Sequence, residues 1–550
     1  MEDLIKATLQ NNRGIALTVV MMVTVLLLSI VGTSLSLSRL ELKKTSNHKL
    51  AAQAFYVAEA GSESGVSLLR QLLNNTLHVS TSELNLSAPT MSGYAFNVFS
   101  IEKEGSMVET FLTSGNFAQL TAYIQNYKIT SEAKVTGTNA KAKIIQHAVD
   151  YLIPLFQFGI FYEEDLEILP GPDMTFSNGR IHSNSDIYLG ANSTLSIDSS
   201  TTSAGNVFNR RKNNGAAMPG TVQIKDGAGD YQEMNIDSDS SDWTTESQNI
   251  WDGRIKSQGH GIQGINLPLP STNTPIDIIK NCDVTDTQDL KEAKFCWKAG
   301  LKIIDGVAYD KDDNVLDLLA GGNNPLSTET FWDHRENANI QVSTIDMDKL
   351  NSNTVAMAAL NNPPPGEDAG ILYAYRSGAD KGIRLRNGST LPSIGLTVAS
   401  EQPIYIQGDY NVNNGPAAVI GDAVNILSNN WDDANSKLSL TSKRVASDTT
   451  VKGAIMTGHV ETEPNAGHYS GGVENLPRFL EDWTDKTLTY SGSLVSLWFS
   501  EQATGNWKYG SPVYKAPVRN WSYGIDLSNM PPGTPRVRVV EKTSWLQWYN

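Results

Sequence analysis

The sequence predicts an α+β protein, mostly β: one long N-terminal helix, a small antiparallel sheet, and a large strand-rich distal region. Three observations carry that reading. An uncharged run from Ile15 to Ser38, about 24 residues, is long enough to cross a bilayer as a helix. A helical pattern continues past that run with no proline as far as Leu73. Beyond about residue 170, Gly, Asn, Ser and Thr become frequent, and apolar residues fall in short pairs separated by turn signals.

The helix comes first. A secretory signal has a shorter apolar core followed by a cleavage site and a turn. Here Leu50, Ala54, Val57, Ala58 and Gly61 recur at spacings of three and four, one face of a helix. One helix from Ile15 to Leu73 would be about 90 Å long at 1.5 Å per residue. Its second half is rich in small residues, among them Ala54, Ala58, Gly61 and Gly65, which suits close packing against other backbones.

Residues 76–150 read as a head. "SGYAFNVFSI" alternates, with Tyr94, Phe96 and Phe99 at the apolar positions. "NYKITSEAKVTGTNAKAKIIQHAVDYLI" reads as two strands about the turn Gly137-Thr138-Asn139. A small antiparallel sheet is expected there.

The distal region has a different texture. Met174 and Phe176, Ile187 and Leu189, and Leu195 and Ile197 are apolar pairs with polar corners between them. Val398, Ile404, Ile406, Val419, Ile420, Val424 and Ile426 repeat the texture later. Short strands with inward apolar positions fit a right-handed β-helix, here split in two by an insertion. A β-sandwich is the alternative.

The sequence thus divides into a leader (1–14), a long helix (15–75), a head sheet (76–150), a first β-helix-like part (151–275), an insertion (276–365), and a second part with the C-terminal region (366–550). Within the insertion, "LKIIDGVAYDKDDNVLDLL" reads as a hairpin. Its Asp310, Asp312 and Asn314 start like a calcium loop, but Val315 and Gly321 stand where Gly and Glu are needed, so an Asp-rich turn is expected. Cys282 and Cys296 suit one disulfide in an oxidising compartment; two buried thiols are the other reading. Val473, Leu476, Leu480 and Trp483 at spacings of three and four predict a late helix, with Asn475 as its cap.

The N-terminus resembles a known family. "RGIALTVVMMVTVLLLSIVG" and "AAQAFYVAEAGSESGV" are similar to the start of type IV prepilins, most closely to PilX-type minor pilins, and also to the K pseudopilin of type II secretion. The resemblance implies cleavage between Gly14 and Ile15 by a prepilin peptidase, methylation of the new N-terminus, and a single pass through the inner membrane. The bulk of the chain would be periplasmic and later lie at the pilus tip or cell surface. It implies partners among other minor pilins and the major pilin, with Ala54, Ala58 and Gly61 as helix-packing positions. Major pilins carry Glu at the fifth mature position, where it pairs with a neighbour's amine; here that position is Val19. By analogy with the K pseudopilin, its absence implies a subunit at the tip.

The expected function is a minor pilin-like subunit that helps initiate or cap a type IV pilus. The alternatives are a pilus-tip adhesin that binds a surface or glycan, and a secretion pseudopilin. A net charge of −16 disfavours a broad nucleic-acid footprint. Arg210-Arg211-Lys212 is a small basic patch or a solvated loop. No G-x-S-x-G, H-E-x-x-H, Walker A or dinucleotide motif is present. A polysaccharide-cleaving β-helix would use residues such as His182, Asp186 and Asp409, but the same residues suit hydrogen-bonding corners. His334, His459 and His468 are the other notable histidines. No enzyme, cofactor or metal site is expected. Trp521, Tyr523, Trp545 and Trp548 are candidates for stacking on sugars or for core packing.

Overall fold

The computed structural model describes residues 2–464 and 466–549, with the side chains of residues 2–14, 441, 548 and 549 left aside. Helix α1 (Glu2–Asn75) is followed by β1 (Tyr94–Phe111), β2 (Thr121–Val135) and β3 (Lys141–Pro154). These three strands pair antiparallel, and β3 pairs on its other side with the C-terminal strand Arg536–Tyr549. The head is thus a four-stranded sheet whose last strand arrives from the far end of the sequence.

The sheet lies on the second half of α1. Val66, Leu69 and Leu73 meet Ile101, Tyr127, Ile129 and Ala148 in one cluster. Ala54, Val57 and Ala58 meet Ala133, Ala142 and Ile144 in another. Small residues on the helix permit this approach. A Cβ added at Gly61 would stand 2.3 Å from Phe96 Cε1 and 2.4 Å from Ser131 Oγ. Gly61→Ala is therefore expected to destabilise the head by ~1–3 kcal/mol through overpacking. A thermal unfolding curve of the detergent-solubilised chain that does not shift would show that the ring and the hydroxyl move aside freely.

Beyond the head the chain winds into a parallel solenoid. Strands β4 (Phe158–Tyr162), β5 (Leu166–Ile168) and β6 (Met174–Phe176) form one coil. Strands β7 (Arg180–Ser183), β8 (Ile187–Leu189) and β9 (Thr194–Ile197) form the next, followed by β10 (Thr201–Ser203), β11 (Val207–Phe208) and β12 (Thr221–Lys225). Each strand pairs in parallel with its counterpart one coil on. A sandwich core is built from antiparallel sheets, so the parallel register identifies a solenoid. The apolar pairs read from the sequence are its inward positions: Met174, Phe176, Ile187, Leu189, Leu195 and Ile197 are all buried in one core.

The coils do not stack in sequence order. The first part ends at Ile255–Lys256, which pairs with β10. Residues 257–300 then return to the opposite end, where Leu301–Ile304 begins the second part. From there successive strands at 371–375, 396–399, 417–421, 454–457 and 494–496 advance until Leu494–Ser496 pairs with β4. One column of inward side chains crosses this seam: Leu372, Val398, Val419, Ile455, Leu494, Ile160 and Ile181 lie in register. The two β-helix-like stretches are thus one solenoid, with the later half joined in front of the earlier one.

Two readings of the second half differ from the structure. Part of the segment 276–365 builds coils, since Leu301–Ile304 and Ala338–Asp346 both pair in parallel with the strands that follow. Its 301–310 stretch is the expected hairpin. The helix predicted around Val473–Trp483 is only a 3₁₀ turn at Val473–Asn475, followed by the short strand Arg478–Phe479. Val473, Leu476, Leu480 and Trp483 are all buried. A tight corner and the strand after it both point inward, which reproduces helical spacing without a helix. Asn475 donates from Nδ2 to Gly471 O and caps no α-helix.

The long sheet is covered on both faces. Its inner face lines the solenoid core. The return segment lies on the outer face, where Ile265, Ile276, Ile279 and Phe295 pack with Phe158 and Phe161 of the early half and with Tyr373, Met456 and Val495 of the late half. This strap therefore spans the seam. It carries the disulfide Cys282–Cys296, with Cα atoms 5.5 Å apart, and Tyr373 OH donates to Ile279 O at 2.9 Å.

Candidate functional site

The N-terminal helix has two environments. From Ile15 to Lys49 every residue is exposed, and the apolar window touches no other part of the chain. Polar side chains in that run bond back to the helix: Thr24 Oγ1 donates to Val20 O at 2.7 Å, Ser29 Oγ to Val25 O at 2.9 Å, and Thr33 Oγ1 to Ser29 O at 2.9 Å. In lipid such internal bonds remove the cost of an unsatisfied hydroxyl. The segment fits a single-pass membrane anchor by length and hydropathy. Val19 is 52% exposed on it, and no carboxylate occupies the turn that starts at Ile15. Gly14 lies outside the residues whose side chains are described.

Ala54 and Ala58 are fully buried, and Gly61 is buried beside them, all beneath the head sheet of the same chain. The narrow face of the helix thus meets its own strands, while residues 15–49 below the head stay exposed.

The C-terminal strand fastens the helix. Arg538 donates from Nη1 to Leu73 O and Thr76 O and from Nη2 to Leu77 O at 2.9 Å, taking carbonyls left open where α1 ends. Its Nε stands 2.9 Å from Asp150 Oδ1 on β3, with both side chains almost wholly buried and no aligned hydrogen bond between them. Burial pushes the Asp150 carboxyl up to about 6, against the pull of Arg538. Further down the helix Arg70 donates to Val540 O at 3.1 Å, and Lys542 pairs with Glu63 at 2.9 Å.

A cavity of about 540 Å³ opens at the seam of the solenoid. Glu167 and Asn192 come to it from the early coils; Tyr469, Glu474, Trp507 and Tyr509 come from late loops. Glu167 Oε1 accepts from Thr462 Oγ1 and, at 2.7 Å, from Ser470 Oγ. Glu474 is buried, which pushes its carboxyl up to about 7. Trp507 Nε1 donates to Tyr514 OH at 2.8 Å, and Tyr514 OH donates to Asn475 Oδ1 at 2.5 Å. Gly471, at φ +88°, backs the indole so closely that a Cβ there would lie 2.4 Å from Trp507 Cδ1.

The residues considered for sugar cleavage are held by the coils. His182 is wholly buried between Thr202 Oγ1 (2.8 Å) and Asn184 Oδ1 (3.0 Å), and burial lowers its pKa to about 4. Asp186 Oδ1 accepts from Asn206 N at 2.6 Å, and Asp409 Oδ1 from Thr450 N at 2.8 Å. His459 bonds Ser496 Oγ at 2.7 Å, with its pKa lowered by burial to about 3. Burial also lowers the pKa of His334, and His468 lies 3.8 Å from Glu463. Asp310 accepts from Asp312 N and Asn314 N, both at 2.9 Å, and so closes its own turn. Among the described residues no group of three or more His, Cys, Asp or Glu converges on a metal position.

The basic patch is dispersed: Arg210 pairs with Asp239, Lys212 with Asp165 at 3.0 Å, and Arg211 lines the cleft. Trp521 is buried, and Tyr523 OH donates to Phe156 O at 3.1 Å. Trp545 sits on the head near Phe55, and the Trp548 side chain lies outside the described residues. Sequence reasoning missed Tyr469, Trp507 and Tyr509. The only local signal was a pair of aromatics two apart in "NWKYG", outside any strand pattern.

Comparison with known proteins agrees at the N-terminus. The family model described as PilX N-terminal matches residues 13–63. No curated protein matches the chain significantly. Among solved structures, the competence-associated pilin ComZ from Thermus thermophilus aligns over 91% of this chain and 98% of that one, at 12% identity and a TM-score of 0.23. Residues 13–63, an exposed apolar helix running into a small-residue stripe under an antiparallel head, thus form a PilX-type N-terminal segment.

Proposed function

We propose that the chain is a minor pilin that helps initiate or cap a type IV pilus. In this reading prepilin peptidase cuts between Gly14 and Ile15, the segment 15–38 holds the subunit in the inner membrane, and the rest lies in the periplasm until assembly. Partners are other minor pilins and the major pilin, and the role is structural. The observation that carries the reading is the combination of an unencumbered apolar helix with Val19 in its first mature turn. A carboxylate in lipid is costly and persists where it has a partner. A chain without one offers no such partner to a neighbour's amine, which suits a terminal position. The size of the solenoid supports the same placement. Pilin helices are only ~10–12 Å across, and a body of nine or more coils on every subunit would crowd a shaft.

Two measurements test this. N-terminal sequencing of membrane-extracted protein is expected to begin at Ile15, and Gly14→Leu to leave the leader attached; a start at Met1 in the unaltered chain overturns the processing step. Quantitative mass spectrometry of sheared pili is expected to find the chain far below the major pilin, and its deletion to reduce pilus number more than length. Near-equal stoichiometry along the shaft would exclude a terminal role. A second reading, that the subunit is also a tip adhesin, is favoured by the aromatic cleft at the seam.

A further inference from the structure

We infer that the cleft at the solenoid seam binds a short, neutral oligosaccharide. This extends the adhesin reading and is independent of the role in assembly.

The cleft has the makings of a sugar site in three respects. First, it presents exposed aromatic faces: Tyr509 is 59% exposed and Tyr469 36%, and the half-buried Trp507, packed against the core, joins them at the wall. Pyranose rings carry patches of C–H that lie on such faces, while their hydroxyls seek polar partners at the rim. Second, the polar groups are fixed rather than mobile. Glu167 is held through one carboxylate oxygen by Thr462 and Ser470, and among the described residues its Oε2 has no protein partner. Glu474, raised to about 7, is part protonated near neutrality and can donate to or accept from a hydroxyl. Trp507 is clamped by Tyr514 and by the backbone of Gly471. Groups ordered before binding lose little further entropy when the ligand arrives.

Third, ionisable groups of both signs line the cleft. Glu167 and Glu474 face Arg211 and Arg519, and Arg519 is itself tied to Glu474 O at 2.8 Å. A polyanion would meet two carboxyl groups, and a polycation two guanidinium groups. A neutral ligand rich in hydroxyls meets no such penalty and finds donors and acceptors together. A volume of about 540 Å³ is in the range of small-molecule sites and suits a short oligosaccharide.

The test uses the full chain in detergent on an array of immobilised neutral oligosaccharides. The unaltered protein is expected to bind a subset, and Tyr509→Ala to bind it about tenfold more weakly, the loss of one stacking face. Tyr469→Ala, also at an exposed position, is expected to lose affinity in the same direction. Unchanged melting curves for both variants would show that the loss is local. The inference is overturned if no neutral oligosaccharide is retained, if only sialylated or sulfated glycans are, or if Tyr509→Ala binds as well as the parent. Array binding by purified protein does not depend on filament entry, so failure here leaves the stoichiometry test of the pilus role untouched.

Discussion

Replacing Arg538 with methionine is expected to cost the head about 3–5 kcal/mol, the usual penalty for breaking a buried ion pair from one side. The side chain serves three elements at once. It takes the Leu73, Thr76 and Leu77 carbonyls at the end of α1, faces Asp150 on β3, and belongs to the C-terminal strand. Methionine keeps most of the volume and removes every donor. Asp150, at 1% side-chain exposure, would lose the guanidinium beside it, and burial would push its carboxyl further up with only the weaker pull of Lys103 opposing. Hydrogen exchange should rise in the last turn of α1 and along β3 and its C-terminal partner, while the solenoid keeps its protection. Asp150→Leu combined with Arg538→Met should recover part of the loss, because no lone charge is left buried. The recovery should be incomplete, since the helix carbonyls stay uncapped at about 1–3 kcal/mol for unsatisfied groups. Unchanged exchange in the single variant would mean that water fills the site and the pair holds nothing together.

Removing the disulfide with Cys282→Ser and Cys296→Ser together is expected to lower stability by about 3 kcal/mol, the loop-closure value for a ring of this length. The loop between the cysteines keeps other ties, since Lys294 and Asp286 form a buried pair at 2.8 Å and Trp297 Nε1 donates to Asp286 at 2.8 Å. Loss of the crosslink should therefore loosen the strap without unwinding the coils beneath it. Dithiothreitol should shift the melting of the unaltered chain by a similar amount and leave the double variant unmoved. Equal melting of the oxidised and reduced chain would show that the strap is held by its apolar contacts alone.

The sequence disclosed the features that repeat or that depend on near neighbours. An uncharged run followed by Ala54, Ala58 and Gly61 at helical spacing states a helix in any context. Pairs such as Ile187 and Leu189 state an inward-facing strand. Contacts between distant segments were another matter. Nothing local distinguishes a coil that follows Leu494 from one that precedes Ile160, because all coils present the same apolar pairs. The segment "RVRVVEKTSWLQWYN" alternates as a strand does, yet its partner is chosen by the end of α1 and by β3. Val473 to Trp483 misled because inward-facing corners share the spacing of a helix. The cleft was hidden for the same reason as the seam: Glu167 and Glu474 meet only once the two halves have joined.

The return of the C-terminal strand makes the head the last part of the molecule to be finished. Synthesis delivers α1 and β1 to β3 first, but β3 must wait for residues 536–549 to cover its open edge. Those residues reach it because the solenoid brings the two connections together, with Leu155 N donating to Pro535 O at 2.8 Å. A chain that stops early, or whose coils fail to close at the seam, keeps an uncovered strand edge and an uncapped helix beside the membrane. Such edges invite wrong pairing. Completion of the distal body is thereby tied, through one strand, to the closing of the head sheet and the capping of α1.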